Sequence, residues 1–217
     1  MPRSRTQAER RASSERRLLD ATAKVIAERG TSSVSFADIA KEAGCSHGLP
    51  GYLFGSKVDL LLALVDDVLT TLRAQMVDPV RSQEQGIQVT LSALRAFLTS
   101  LAHPTRYTRA MYVLLGEAPG APPELRQALQ TYQEGVRQLF REGLVEGMER
   151  GEIRPDVDPD AQAALLLGLA RGIGQQVVLD PGAIDLDAVV VEVATSVTRA
   201  LATESWMAGA AADDHDR

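Results

Sequence analysis

Cysteine is almost missing from this sequence of 217 residues. Cys45 stands alone, so no disulfide can close within the chain and no cysteine spacing for a metal exists. No apolar stretch reaches the roughly 20 residues of a membrane span without meeting a charge or a glycine. The opening residues, Met1-Pro2-Arg3-Ser4-Arg5, have no apolar core behind them of the kind that directs secretion. A glycine-rich phosphate loop, a nucleophile elbow and a metal-ligand cluster are also missing. Nothing in the sequence brings His47, His103 and His215 together as ligands. These absences argue against an enzyme, a cofactor, a metal site or a membrane protein, and lead to the expectation of a cytoplasmic chain. No internal repeat is visible.

Hydrophobic residues make up 45% of the chain, enough for a buried core and too many for wholesale disorder. The formal net charge is −6, but it is unevenly spread. Residues 1–60 hold seven arginines and all three lysines (Lys24, Lys41 and Lys57) against seven acidic residues, whereas the rest holds 13 basic and 22 acidic ones. Such asymmetry suggests a head that faces a polyanion on an acidic body.

The hydrophobic pattern is helical throughout. Leu18, Thr22, Val25 and Ile26 recur at helical spacing until Gly30. Ser35 and Asp38 are spaced as a capping box, and Phe36, Ile39, Ala40 and Ala43 then share one face until Gly44. A short third helix is predicted from Ser46 to Phe54. A fourth opens at Ser56 and Asp59 and runs to about Asp78, stopped by Pro79. Ser82 and Gln85 are read as a capping pair for the next, which reaches Ala102. Further helices are predicted over 105–118, from Pro123 to Glu149, from Pro159 (with Asp158 as cap) to Val178, and from Asp185 to Glu204. The expectation is an all-α fold of about nine helices. It divides into a flexible basic arm (1–12), a helical head (13–57), a larger helical body (58–206) and a disordered tail (207–217).

The segment from Phe36 to Phe54 has the shape of a helix-turn-helix. Gly44 must supply a backbone conformation closed to most residues, and small Ala40 and Ala43 let the two helices approach. Phe36, Ile39, Leu49 and Phe54 are expected in its core. The run Phe36-Ala37-Asp38-Ile39-Ala40-Lys41-Glu42-Ala43-Gly44-Cys45-Ser46-His47-Gly48, continuing through Tyr52-Leu53-Phe54-Gly55-Ser56-Lys57 to Asp59-Leu60-Leu61, closely resembles the TetR family of transcriptional regulators over residues 13–62. The stretch from Gly151 to Asp156, ahead of the last two helices, is also common in that family.

The resemblance implies roles for particular residues. Ser35 would meet a DNA phosphate. Ser46 and His47 would open the recognition helix toward base edges or phosphates, with Gly48, Pro50 and Gly51 as further DNA-binding candidates in that helix and Tyr52 as a candidate phosphate contact. Lys57 would pair with a phosphate beside a helix N-terminus. Arg3, Arg5, Arg10 and Arg11 would reach the backbone or the minor groove. The family usually carries an aromatic residue where this chain has Gly51, and Tyr52 follows it. Counted from a cap at Ser46, Pro50 would delete a hydrogen bond at the end of the first turn, so the helix is expected to be weak. Cys45 fills the place of a small apolar residue in the turn.

For the body, the resemblance implies dimerisation through the last two helices. Ala164, Gly168 and Gly172 lie at i, i+4 and i+8 and suit close helix packing; Val190, Val193, Val197 and Leu201 form the apolar stripe of the other helix. A cavity for a small apolar ligand is implied between head and dimer helices, with Met76, Phe97, Leu101, Met111, Tyr112, Leu115, Tyr132 and Phe140 as candidate lining. Arg109, Arg137 and Glu117 are its candidate polar contacts. The partners expected are double-stranded DNA with a palindromic operator, a small molecule and a second copy of the chain. The expected function is that of a repressor released by ligand, through a shift toward a dimer whose two heads no longer match major grooves about 34–36 Å apart. A ligand-responsive activator and an all-helical interaction module without DNA binding are the alternatives.

Overall fold

Helices make up nearly all the regular structure of the computed structural model, which describes residues 6–32, 34–74 and 78–215. In chain order they are α1 (Gln7–Arg29), α2 (Phe36–Ala43), α3 (Leu49–Phe54), α4 (Lys57–Leu72), α5 (Asp78–Gln83), α6 (Ile87–Ser100), α7 (Arg106–Glu117), α8 (Pro123–Glu149), α9 (Pro159–Leu179), α10 (Leu186–Leu201) and α11 (Glu204–His215). Among the described residues no strand forms, only an isolated antiparallel bridge between Ile153 and Ala202.

Four differences from the sequence reading have local causes. First, α1 starts at Gln7 rather than after residue 12. Thr6 accepts from the Glu9 backbone N–H at 3.2 Å while the Glu9 carboxylate accepts from the Thr6 N–H at 2.8 Å, a complete capping box. Arg10 and Arg11 therefore lie on a helix, and Arg11 is paired with Glu15 at 2.8 Å. Second, Pro79 does not end a helix; it stands in the first turn of α5, where its missing N–H costs nothing. Third, Ser82 caps nothing: its hydroxyl donates to the Pro79 carbonyl at 2.8 Å, and α6 begins only after Gly86. Fourth, residues 204–215 are helical where a structureless end was expected beyond 206. Thr203 accepts from the Trp206 N–H at 3.3 Å to start that helix, and its alanines favour it.

The chain divides into two compact units, Met1–Thr70 with Pro104–Tyr132, and Thr71–His103 with Gln133–Arg217. The division expected at residue 57 follows the motif and falls inside the first unit.

In the first unit, α1 buries Leu18, Leu19, Ala21, Ala23, Val25 and Ile26 and packs on α7, which buries Ala110, Met111 and Leu114. Polar ties fix the direction of this pair. The Tyr107 hydroxyl donates to Asp20 at 3.0 Å near the start of α7, and Glu117 at its end accepts from the Thr31 N–H at 3.3 Å just beyond α1. Residue number rises together along both helices, so they run parallel. Arg16 joins α1 to α4 through Asp67 at 2.8 Å. Desolvation raises the Tyr107 phenol to about 12, a shift that the Asp20 contact reinforces and Arg16 opposes.

In the second unit, α6 packs against α9 and α10. A Cβ at Gly143 would lie 2.6 Å from the Thr90 hydroxyl, and one at Gly147 would lie 2.7 Å from Ile153, so α8 can approach these groups only because both positions lack a side chain. The loop after α8 is stitched on both sides. Glu152 accepts from the Ile87 N–H at 2.9 Å and from Arg150 at 2.7 Å, while the Arg154 N–H donates to the Leu201 carbonyl at 2.9 Å.

Candidate nucleic-acid interface

Helix α2 is defined at both ends by its own residues. Ser35 accepts from the Asp38 N–H at 3.2 Å, and its hydroxyl donates to the Asp38 carboxylate. That hydroxyl is the main cause holding the Asp38 carboxyl below its ordinary value; Arg29, 3.6 Å away, adds to it. At the other end Gly44 adopts the left-handed conformation (φ 62°, ψ 44°). The Cys45 N–H donates to the Ala40 carbonyl at 3.0 Å and the Gly44 N–H to the Lys41 carbonyl at 3.3 Å, the pair of bonds that closes a Schellman motif. This turn sets the exit direction of the chain and so aims the next helix.

Ser46, His47 and Gly48 come directly after the turn and are exposed. Helix α3 begins at Leu49, not Ser46, with Gly48 as its N-cap and no side-chain cap bond. This corrects the reading of Pro50. It stands at the second helical position, where the backbone N–H has no partner within the helix, so it deletes no bond. Pro50 is buried and so contributes to the packing of the head rather than to its outer surface. Gly51 lies against the Phe36 ring, where a Cβ would sit 3.6 Å from the nearest ring carbon. Tyr52 is the outward residue of α3, with 78% of its surface exposed. Of the four expected core residues, Ile39 is fully buried, whereas Phe36, Leu49 and Phe54 are half-buried.

Lys57 opens α4 as expected, but its ammonium turns to the Thr31 carbonyl at 2.7 Å. Lys24 is tied to Glu42 at 2.7 Å, a contact that raises its pKa. Arg17 and Lys41, which the motif did not single out, are exposed and stand outside the ion pairs named above. Only their place on α1 and α2 reveals them. Arg3 and Arg5 lie outside the described residues.

The other candidates are distributed between the units. Leu101, Met111, Tyr132 and Phe140 are buried, Phe97, Tyr112 and Leu115 are half-buried, and Met76 lies outside the described residues. Met111, Tyr112, Leu115 and Tyr132 belong to the first unit; Phe97, Leu101 and Phe140 belong to the second. Arg109 and Glu117 are exposed, and Arg137 pairs with Glu134 on its own helix. Ala164, Gly168 and Gly172 are exposed, with open space at both glycines. On the same face of α9 stand Leu165, 65% exposed, and Leu179, 81% exposed. On α10, by contrast, Val193, Val197 and Leu201 are buried within their own unit, and Val190 is half-buried; the outward residue there is Val191, 65% exposed. Three of the four residues of the apolar stripe read from the sequence are thus spent on the chain's own core.

Two family descriptions match the chain: "Bacterial regulatory proteins, tetR family" over residues 18–64 and "BetI-type transcriptional repressor, C-terminal" over residues 87–202. A curated relative, the HTH-type transcriptional regulator BetI of Rhizobium meliloti (strain 1021), is 28% identical over 127 residues, which is 58% of this chain and 62% of that protein. The chain therefore aligns with less than two thirds of that relative's length. Among solved structures, a TetR transcriptional regulator from Chloroflexus aurantiacus J-10-FL superposes with a TM-score of 0.79 at 22% identity, over 89% of this chain and 98% of that one. A transcriptional regulator from Saccharomonospora viridis, in complex with choline, gives 0.75 at 22% identity, over 89% and 100%.

Proposed function

This chain belongs to the TetR family of transcriptional regulators, and from that premise we infer that it binds operator DNA as a homodimer and represses transcription until a small, largely apolar molecule releases it. The observation that carries the reading is the turn at Gly44. Its left-handed backbone ends α2, and Ser46, His47, Gly48 and Tyr52 beyond it are all exposed, as the residues of a reading head must be. Repression is the sense of action favoured by the match to a repressor C-terminal region. Pairing of two copies is supported by the outer face of α9, where exposed Leu165 and Leu179 flank Ala164, Gly168 and Gly172. Close-packed helices across a two-fold axis use such a surface. No helix among the described residues is long and apolar enough to cross a membrane, and the reading places the protein in the cytoplasm with its DNA.

Selection of bound duplexes from a random pool tests this directly. An inverted repeat should emerge, with half-sites about one helical turn apart. Affinity for it should fall steeply as salt rises, and Lys57→Ala should flatten that slope by about one unit if the ammonium leaves the Thr31 carbonyl for a phosphate. Failure to enrich any duplex at low ionic strength would overturn the reading.

A further inference from the structure

The first unit contains an open cleft of about 560 Å³ that the motif does not explain. Its volume falls in the roughly 300–1,000 Å³ range of small-molecule sites. Buried Leu61, Leu114 and Leu125 form an apolar wall, and Val58 adds to it. None of the residues that the sequence suggested as apolar lining for a ligand lies along it.

The polar groups gather around Thr31, in the turn between α1 and α2. Lys57 donates to the Thr31 carbonyl, and one oxygen of the Glu117 carboxylate accepts from both the N–H and the hydroxyl of Thr31. Lys57, Glu117 and Thr31 all line the cleft. The bond to Thr31 uses one of the three ammonium donors, and Glu117 places both Thr31 bonds on a single oxygen. The ionic groups, one positive and one negative, cancel. A ligand with net charge would gain one partner and meet one like charge, whereas a neutral group with both a donor and an acceptor can use both.

We propose that this cleft is a binding site for a small, net-neutral molecule with an apolar body and a hydrogen-bonding end. The polar end of the occupant takes the remaining ammonium donors of Lys57 and the other oxygen of Glu117, and so is tied to the turn at Thr31 that precedes α2. The site stands apart from the DNA reading above; only the effect of its occupation on operator affinity rests on that reading.

The glycines of the cleft supply the test. Gly116 and Gly120 both line it, neither has a positive φ, and a Cβ at either meets nothing within 4 Å. Gly116→Phe and Gly120→Phe should therefore add a ring to the lining of the cleft without displacing the core. The probe is N-phenyl-1-naphthylamine, a neutral apolar amine that fluoresces when removed from water, titrated into the full chain. The expected result is one saturable site per chain, weakened at least tenfold by either phenylalanine while the unfolding temperature stays within a few degrees of wild type. Hydrogen exchange on the unaltered chain gives a measurement independent of the variants: the probe should slow exchange over 114–125 and over 30–32. Absence of saturable binding, equal binding by wild type and both variants, or unchanged exchange over both segments would overturn the proposal, whatever the duplex selection shows.

Discussion

Helices α2 and α3 are consecutive, yet different forces define them. Helix α2 carries its own instructions, with a serine cap bonded to Asp38 at one end and a left-handed glycine at the other. Helix α3 has no side-chain cap and holds both Pro50 and Gly51 in six residues. It is kept in place by its surroundings, including the Phe36 ring against Gly51 and the burial of Pro50. The element that does the aiming is locally encoded, whereas the element that is aimed depends on the fold. A reading surface held in this way tolerates change on its outer side, because few of its outward residues also hold it together.

Substitutions can break or sharpen this contrast. The largest effect is expected from Gly44→Val, because a β-branched residue at φ 62° is strained whatever space surrounds it. Loss of about 2 kcal/mol in denaturant unfolding is expected, along with loss of duplex binding. Ser35→Ala removes one end of α2 and should cost about 1 kcal/mol. The Asp38 carboxyl titrates below its ordinary 3.8 in the folded chain, so its stabilising effect is complete above about that pH and disappears as pH falls through the lowered value. Acid unfolding should therefore differ less between wild type and Ser35→Ala at pH 2 than at pH 6. Gly51→Ala acts in the opposite direction. Its Cβ makes only an ordinary contact with Phe36, so the gain in helix propensity should raise stability by up to about 1 kcal/mol, read as a higher melting temperature. The smallest stability change, within about 0.5 kcal/mol, belongs to Tyr52→Ala, since Tyr52 is outward and exposed. The same substitution should still weaken duplex binding severalfold, which separates reading from folding.

Much of this was legible in the sequence wherever the signal is local. The caps at Ser35, Thr105, Asp158 and Asp185 all act within a few residues, and each opens a helix at its expected place. The features that escaped depend on distant partners. Whether Pro50 harms α3 turns on which residue starts the helix, and a count from Ser46 chose the wrong one. Lys57 looked like a free phosphate contact because its partner, the Thr31 carbonyl, belongs to the turn before α2. The stripe of Val193, Val197 and Leu201 was legible as apolar, but periodicity does not say whether a helix of the same chain or of a second copy covers it. Structure assigns it to the chain's own core and leaves the small-residue face of α9 outside.

The parallel seating of α1 on α7 bears on how such a protein can be cut or grafted. A head excised at residue 57 would part α1 from α7, against which it packs, and so uncover apolar surface on both. Transplanting the specificity of this head to another body would therefore require the segment 104–132 to travel with it, although the recognition motif ends long before that segment begins.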